Sequence, residues 1–565
     1  MHRAAVDARE LAAQTAERSM ALAFRERDLC AQENDLNPRK MLTAAATALL
    51  LVSSTSQSHA DGGEDQLGRV KFTSSCDPKV QPLLETGVAM LHSFWYRAAE
   101  TTFRDVLAQD STCSIANWGI AAILMQNPLA GTGASANGAA AAQAAIDQGR
   151  RVSPKTQRER DYIEAVAAYY QDFSTRSERS RQESRAKAFE ALAARYPDDD
   201  EARIFSALYI AGTQSQADQT FAAYLKAAAI LEKLFVKYPD HPGVAHYLIH
   251  SYDAPPIARQ GLPAARRYAS IAPAAPHALH MPSHIFTRVG AWEDSVATNA
   301  RSAAVAKKGG DGLEAYHASD YAVYAYLQLA RDGDAQREME EALKVTDNNP
   351  TAIAAPYAIA AMPARYAMER GAWREAMQLQ PRPNKFLFTD AITHFARALG
   401  AARSGDTAAA EKDAGELARL HRALEDAKSN YWATEVEIQR LAVAGWIALA
   451  RDKTDEALKF MRAAADLEDR NEKHIVTPGR IVPARELLGE MLLELKQPAQ
   501  ALKEFEASQV REPNRFRGYY GAASAAEQSG DAAKARTYYA RLMELAARGD
   551  RRPELQQAKT WLARN

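Results

Sequence analysis

Between residues 484 and 540 the chain reads ARELLGEMLLELKQPAQALKEFEASQVREPNRFRGYYGAASAAEQSGDAAKARTYYA. Two similar units stand back to back in this stretch. The first runs from Ala484 through Leu495, Ala499, Ala501 and Phe505 to Pro513, and the second from Gly518 through Gly530, Ala533, Ala535 and Tyr539. Each offers a helix, a short turn and a second helix with an Ala-x-x-x-Phe or Ala-x-x-x-Tyr step. Small residues at such positions let two antiparallel helices approach while the aromatic fills the space between them. The first unit also has a closing proline, which ends a helix because it has no N–H to donate. Related units run from Leu84 to Pro128, with Gly87, Phe103, Trp118 and Gly119, from Pro356 to Ala376, and from His394 to Ala410. Roughly nine or ten helix pairs are expected along the chain, several of them degenerate.

Composition agrees with this reading. Apolar residues make up 47% of the 565, alanine is abundant, and glycine and proline come at turn-like intervals rather than in clusters that bound strands. That is the pattern of an all-α protein. The 70 basic and 71 acidic residues are interspersed, which gives no footprint for nucleic acid or an anionic membrane. The expected fold is an all-α solenoid of the tetratricopeptide-repeat (TPR) kind, a right-handed superhelix of antiparallel pairs whose first helices line a concave face. Four segments follow: an N-terminal extension with a signal peptide over 1–60, TPR-like repeats over 61–240, a histidine-rich central part over 241–330, and C-terminal repeats over 331–565.

The leader is read from Arg39 and Lys40, the apolar run from Leu42 to Val52, and Ser58-His59-Ala60. A charged, an apolar and a small-residue segment in this order are what export requires, and the run is too short to anchor in a bilayer. An ordinary alanine-rich helix is the other reading. Export to the periplasm or medium, with no integral membrane segment in the mature form, is the expectation. Removal up to Ala60 leaves Cys76 and Cys113, which either form one disulfide closing the first helical hairpin or remain two small unpaired residues.

Six of the 13 histidines fall in three neighbouring segments: AHYLIHSYD at 245–253, PHALHMPSH at 276–284 and YHASDY at 316–321. A helix turns about 100° per residue, which puts His246, His250 and Asp253 on one face and His317, Asp320, Tyr321 and Tyr324 on another. Pro282 has to sit near a helix start, so His277 and His280 are expected in the preceding loop or first turn. The segments lie some thirty-five residues apart, about one repeat period, so three successive inner helices should bring them together. An i,i+4 histidine pair lets two imidazoles reach one ion while a third ligand comes from another helix. The expected site is a mononuclear or dinuclear transition-metal centre at His246, His250, His280, His284 and His317. Copper, iron or zinc would suit it, since imidazole is the donor and no thiolate is near. Asp253, Asp320 and Tyr321 are the candidate catalytic residues, the carboxylates as ligands or as groups orienting an imidazole. His92, His277, His474 and Glu486 are secondary candidates. The opposing reading has these histidines capping turns and packing on tyrosines. For Tyr247, Tyr252, Tyr316, Tyr321 and Tyr324, packing between helices competes with a phenol-lined pocket.

AHYLIHSYD at 245–253, HALHMPSHIFTR at 277–288, Glu472-Lys473-His474, Pro478-Gly479 and PARELLG at 483–489 together resemble a group of exported bacterial TPR proteins, over residues 80 to 545. The resemblance implies the TPR fold and, from TPR arrays in general, a peptide-binding scaffold. The histidine motifs are additional to the repeat pattern. No Gly-rich phosphate loop, Gly-x-Ser-x-Gly elbow or His-Glu-x-x-His pair occurs. The sequence therefore leans to a metal-dependent enzyme, of oxidoreductase type, acting on a small aromatic or peptide ligand in the concave groove. A scaffold for a peptide or protein partner and a periplasmic metal carrier are the alternatives.

Overall fold

The computed structural model describes residues 64–346, 352–382 and 384–565; the leader expected over 1–60 lies outside the described residues. Among the described residues there are helices and turns and no strand. Helices adjacent in sequence pack on each other all along the chain. This is an all-α, TPR-like helical-repeat solenoid, in which each pair packs mainly on its neighbours.

The crossing rule behind the repeats is explicit at both ends of the array. Phe103, in the Tyr96–Gln109 helix, packs on Gly87 of the helix before it and Gly119 of the helix after it. A Cβ at Gly119 would lie 2.5 Å from the Phe103 ring. Sixteen-residue steps recur at Gly489, Phe505 and Gly521, where a Cβ at Gly521 would lie 2.3 Å from the Phe505 ring. Glycine is needed here for close approach of two helices rather than for an unusual backbone angle. Cys76 and Cys113 form a disulfide across the first hairpin.

Eight helices position the central site: α1 (Gln81–His92), α2 (Asp200–Ala211), α3 (Pro242–Ser251), α4 (Pro276–His280), α5 (Pro282–Val289), α6 (Trp292–Gly309), α7 (Gly312–Gln328) and α8 (Ala354–Glu369). Two sequence expectations need correction. Helix α3 ends at Ser251, so Asp253 lies beyond it and does not share the face of His246 and His250. His277 and His280 are not in a loop: they sit on α4, and Met281 keeps helical angles (φ −53°, ψ −36°) into α5. Pro282 removes one hydrogen bond at this junction.

Residues 471–483 form no helix, yet every one is buried. The Glu472 N–H donates to Gln216 O (2.9 Å) and His474 Nε2 to Ala130 O (3.1 Å), while Tyr321 donates to Ile475 O (3.1 Å). Arg365 of α8 donates to Thr477 Oγ1, Gly479 O and Arg480 O at 2.7–2.9 Å. A segment that meets helices so far apart in sequence runs along the inside of the array. Its polar backbone is satisfied by the helices around it, as buried irregular chain requires.

Candidate metal centre

His246 and His250 stand one turn apart on α3, and both are buried. His246 Nδ1 is 2.7 Å from the carbonyl oxygen of His92. A carbonyl only accepts, so the proton of His246 is on Nδ1 and Nε2 presents a lone pair. That lone pair is 3.1 Å from His250 Nε2. His277 of α4 points Nδ1 at the Glu314 carboxylate (3.1 Å), which leaves its Nε2 bare, buried and without a hydrogen-bond partner. One donor nitrogen from each of His246, His250 and His277 lies within 4.8 Å of the others.

The second set repeats the plan with its protons more tightly assigned. His284 Nδ1 donates to Asp253 Oδ2 at 2.8 Å and His280 Nδ1 to Asn299 Oδ1 of α6 at 2.7 Å. The Asn299 amide cannot be turned around, because its Nδ2 donates to the Ser295 carbonyl at 2.7 Å. Both imidazoles therefore hold their proton on Nδ1, and their Nε2 lone pairs face each other across 3.1 Å. Two acceptors at that distance repel unless a cation lies between them. Ligands of one tetrahedral ion with metal–nitrogen bonds of about 2.0–2.1 Å stand a little over 3 Å apart. His317 of α7 completes the set, with a donor nitrogen within 4.8 Å of the other two. Nδ1 of His317 and Nδ1 of His250 have no hydrogen-bond partner.

The two sets adjoin. Ring centroids of His250 and His284 are 5.5 Å apart and those of His277 and His280 5.8 Å, close to the 4.9 Å and 5.0 Å within the i,i+4 pairs. A proton is a poor candidate for the missing cation. Burial first, and then the neighbouring imidazoles, push His246, His250, His280 and His317 well below the ordinary histidine value. Desolvation of a charged ring and repulsion among like charges act together here.

Around the sets lies a second layer of fixed groups. Burial alone would raise the Asp253 carboxyl, but Lys473 and Arg288 hold it well below the usual carboxylate range. Arg288 Nε donates to Asp253 Oδ1 at 2.7 Å and its Nη1 to Glu472 at 2.7 Å. Asp253 thus orients His284, the second-layer role common for carboxylates behind a ligating histidine. Tyr321 stacks on His284 (5.0 Å between centroids) and gives its hydroxyl to the carbonyls of Ile475 and Thr477.

The remaining candidates are placed otherwise. Asp320 takes Arg365 Nε at 3.2 Å and, among the described residues, hydrogen-bonds to none of the six histidines; burial raises its carboxyl to about 6. His92 bridges Glu201 (2.9 Å) and the Tyr247 hydroxyl (2.9 Å), and His241 also meets Glu201 (2.8 Å). Each nitrogen in that cluster already has a protein partner, so His92 serves the site through its backbone oxygen. His474 is likewise satisfied, by Ala130 O and the Val476 N–H. Glu486 pairs with Arg515 at 2.8 Å in a separate buried ion pair. Sequence reasoning passed over Asn299 and Glu314. Arg288 and Lys473 stood within quoted motifs, Arg288 just beyond the histidine patch, but nothing in one sequence ties Lys473 to histidines more than 150 residues earlier.

Neither family models nor curated proteins match this chain. Among solved structures, the human IFIT1 dimer with m7Gppp-AAAA is similar at 12% identity and a TM-score of 0.37, covering 73% of this chain and 87% of that one. The hetero-tetramer of APC/C Cut9-Hcn1 is similar at 11% identity and a TM-score of 0.27, covering 85% and 95%. Likenesses this low transfer no ligand or partner.

Proposed function

We propose that the six histidines hold two transition-metal ions, three imidazoles to each, and that the protein is a metal-dependent enzyme of the oxidoreductase class. The observation that carries the reading is the facing pair of His280 and His284 lone pairs, with both Nδ1 protons committed to Asn299 and Asp253. In the first set only the His246 proton is committed in this way, with His250 Nε2 3.1 Å from its lone pair and His277 Nε2 without a partner. Three imidazoles fill three positions of a four-coordinate ion, the ligand count of catalytic rather than structural sites. Copper or iron fits an all-imidazole donor set with redox work to do; zinc fits the donors without the redox work.

Two further observations favour this over the alternatives. Residues 471–483 are buried and take up hydrogen bonds from Tyr321 and Arg365 of the surrounding helices, which speaks against a peptide scaffold there. The histidines are buried and held by a second layer, which suits retention of an ion better than the release a carrier needs. The same burial narrows the substrate from an aromatic or peptide to a small molecule. The disulfide between Cys76 and Cys113 supports an exported, oxidising location.

The test is elemental analysis of full-length protein purified without a nickel column, followed by metal titration. Two ions per chain are expected in the wild type, one in His280→Ala/His284→Ala and one in His246→Ala/His250→Ala. A wild type that takes up no ion, or double variants with unchanged stoichiometry, would overturn the proposal.

A further inference from the structure

Arg185, on the Glu178–Arg195 helix, is only 1% exposed, yet most of its guanidinium is unbonded. Nε and Nη2 have no hydrogen-bond partner, and Nη1 reaches only the Met125 sulfur at 3.4 Å. Among the described residues no carboxylate pairs with it. Glu178, two turns earlier on the same helix, is taken by Arg181, Gln182 and Tyr169. The Tyr209 ring faces the guanidinium, with 4.3 Å from Cζ to the ring centroid. A ring face attracts the cation but gives the Nε and Nη2 protons no lone pair. These two nitrogens form one edge of a planar fork, the edge that grips an acceptor with parallel bonds. A guanidinium is not deprotonated in proteins, so a buried one lacking both partner and counter-charge points to an anion that supplies them.

The surroundings set the size of that anion. Arg185 lines a cavity of about 10 Å³ together with Tyr96, whose hydroxyl is likewise buried and unbonded. Burial, with Tyr209 adding to it, holds the Tyr96 phenol well above the ordinary tyrosine value against the pull of Arg185. Tyr96 therefore keeps its proton: it is no counter-ion to Arg185, and it has an O–H to donate. Leu91, Phe94, Ala122 and Phe205 make other walls apolar, and none of the six histidines lines the cavity. The space suits one particle of about the size of a water. A water would leave the arginine charge uncompensated and would have two protons of its own to place. A monatomic anion brings the charge and only accepts.

We propose that Arg185 and Tyr96 hold a single halide ion, chloride, gripped by the Nε and Nη2 edge of the guanidinium and by the Tyr96 hydroxyl. Charge-assisted bonds of this kind are stronger than those between neutral groups, and the apolar walls leave no competing solvent. Carboxylates, phosphate and sulfate are too large for the cavity. The ion stabilises the N-terminal repeats, and the site stands apart from the two-ion reading above.

The experiment uses the full-length protein, with metal content matched between samples, unfolded thermally in sodium gluconate, chloride or bromide at equal ionic strength. Gluconate does not fit the cavity. Chloride and bromide should raise the wild-type midpoint along a saturating curve, as a ligand of the folded state does. In Tyr96→Phe, which loses only a hydroxyl without a protein partner, the chloride concentration for half the rise should increase about tenfold. Arg185→Met should lose the saturable response, so its deficit against the wild type should be larger in chloride than in gluconate. In crystals soaked in bromide, anomalous density should lie beside Arg185 Nε and Nη2. A wild type with no saturable rise, an unchanged chloride response in Tyr96→Phe, or a water in place of bromide overturns the proposal. Equal deficits of Arg185→Met in chloride and gluconate also overturn it, because the arginine would then serve packing alone.

Discussion

Replacing Asp253 by asparagine should weaken one metal ion and spare the other. Both carboxylate oxygens accept a hydrogen bond, Oδ2 from His284 Nδ1 and Oδ1 from Arg288 Nε. An amide has one acceptor oxygen, so one of the two contacts becomes N–H against N–H. If the amide nitrogen faces His284, the ring relieves the clash only by moving its proton to Nε2, which removes the lone pair it offers a metal. Loss of such a second-layer partner typically lowers metal affinity 10- to 100-fold, or about 1.4–2.7 kcal/mol. The first set is anchored by the His92 carbonyl and Glu314 and should bind as before. The metal-free protein should also lose stability. Removing one partner from a buried charge cluster costs about 3–5 kcal/mol. The lower end is expected here, because Arg288 keeps Glu472 and Lys473, already lowered to about 8 by burial, can shed its proton. Competition titration against a chelator reads the two affinities separately, and urea denaturation of the metal-free protein reads the stability. Equal weakening of both ions in folded Asp253→Asn would refute the assignment of Asp253 to His284.

Metal-free protein should lose stability as pH falls below about 6.5, the ordinary histidine value. Folded-state values of His246, His250, His280 and His317 are lowered, so the unfolded chain takes up protons first and acid favours it. Each such proton contributes up to about 1.4 kcal/mol per pH unit, and denaturation midpoints that stay level between pH 7 and 5 would contradict the burial of these rings. Gly119→Ala sets a methyl group 2.5 Å from the Phe103 ring and should cost about 1–3 kcal/mol by overpacking; pairing it with Phe103→Leu should return part of that, and additive losses in the double variant would show that the two do not touch. Cutting the Cys76–Cys113 bond, which spans 37 residues, should cost at most about 4 kcal/mol in the chain-entropy account, seen as a lower urea midpoint in Cys76→Ser/Cys113→Ser than in the oxidised wild type.

The repeat architecture was legible because its rule is local. A glycine or alanine on each of two helices and an aromatic between them is a pattern of fixed spacing, and Phe103 and Phe505 satisfy it with the same sixteen-residue steps. The i,i+4 histidine pairs were legible for the same reason, and successive repeats do bring α3, α4, α5 and α7 to one place. The expectation failed where one turn of backbone decided the outcome. Periodicity extended α3 to Asp253, but the helix stops at Ser251, and this is what frees Asp253 to reach His284 from the side. Pro282 suggested a loop or first turn before it, yet its missing N–H costs the junction one bond only, Met281 keeps helical angles, and α4, with its own Pro276 in the first turn, carries His277 into the first set. Asp320 shares a helix with His317 but points at Arg365, a partner forty-five residues away that no local pattern could name.

The 471–483 segment bears on the two broad readings of a repeat array. A TPR groove that binds a peptide has to offer unsatisfied donors and exposed apolar surface to an extended chain. Here Arg365 spends its guanidinium on three groups of residues 477–480, Tyr321 donates to two carbonyls of the same segment, and the Glu472 N–H and His474 reach the far side of the array. The same segment brings Lys473 and Glu472 next to Asp253 and Arg288. A segment that only closed the groove would need apolar side chains and satisfied backbone. This one instead carries Lys473, buried and without a hydrogen-bond partner, to within 3.6 Å of Asp253, the carboxylate that takes the His284 proton.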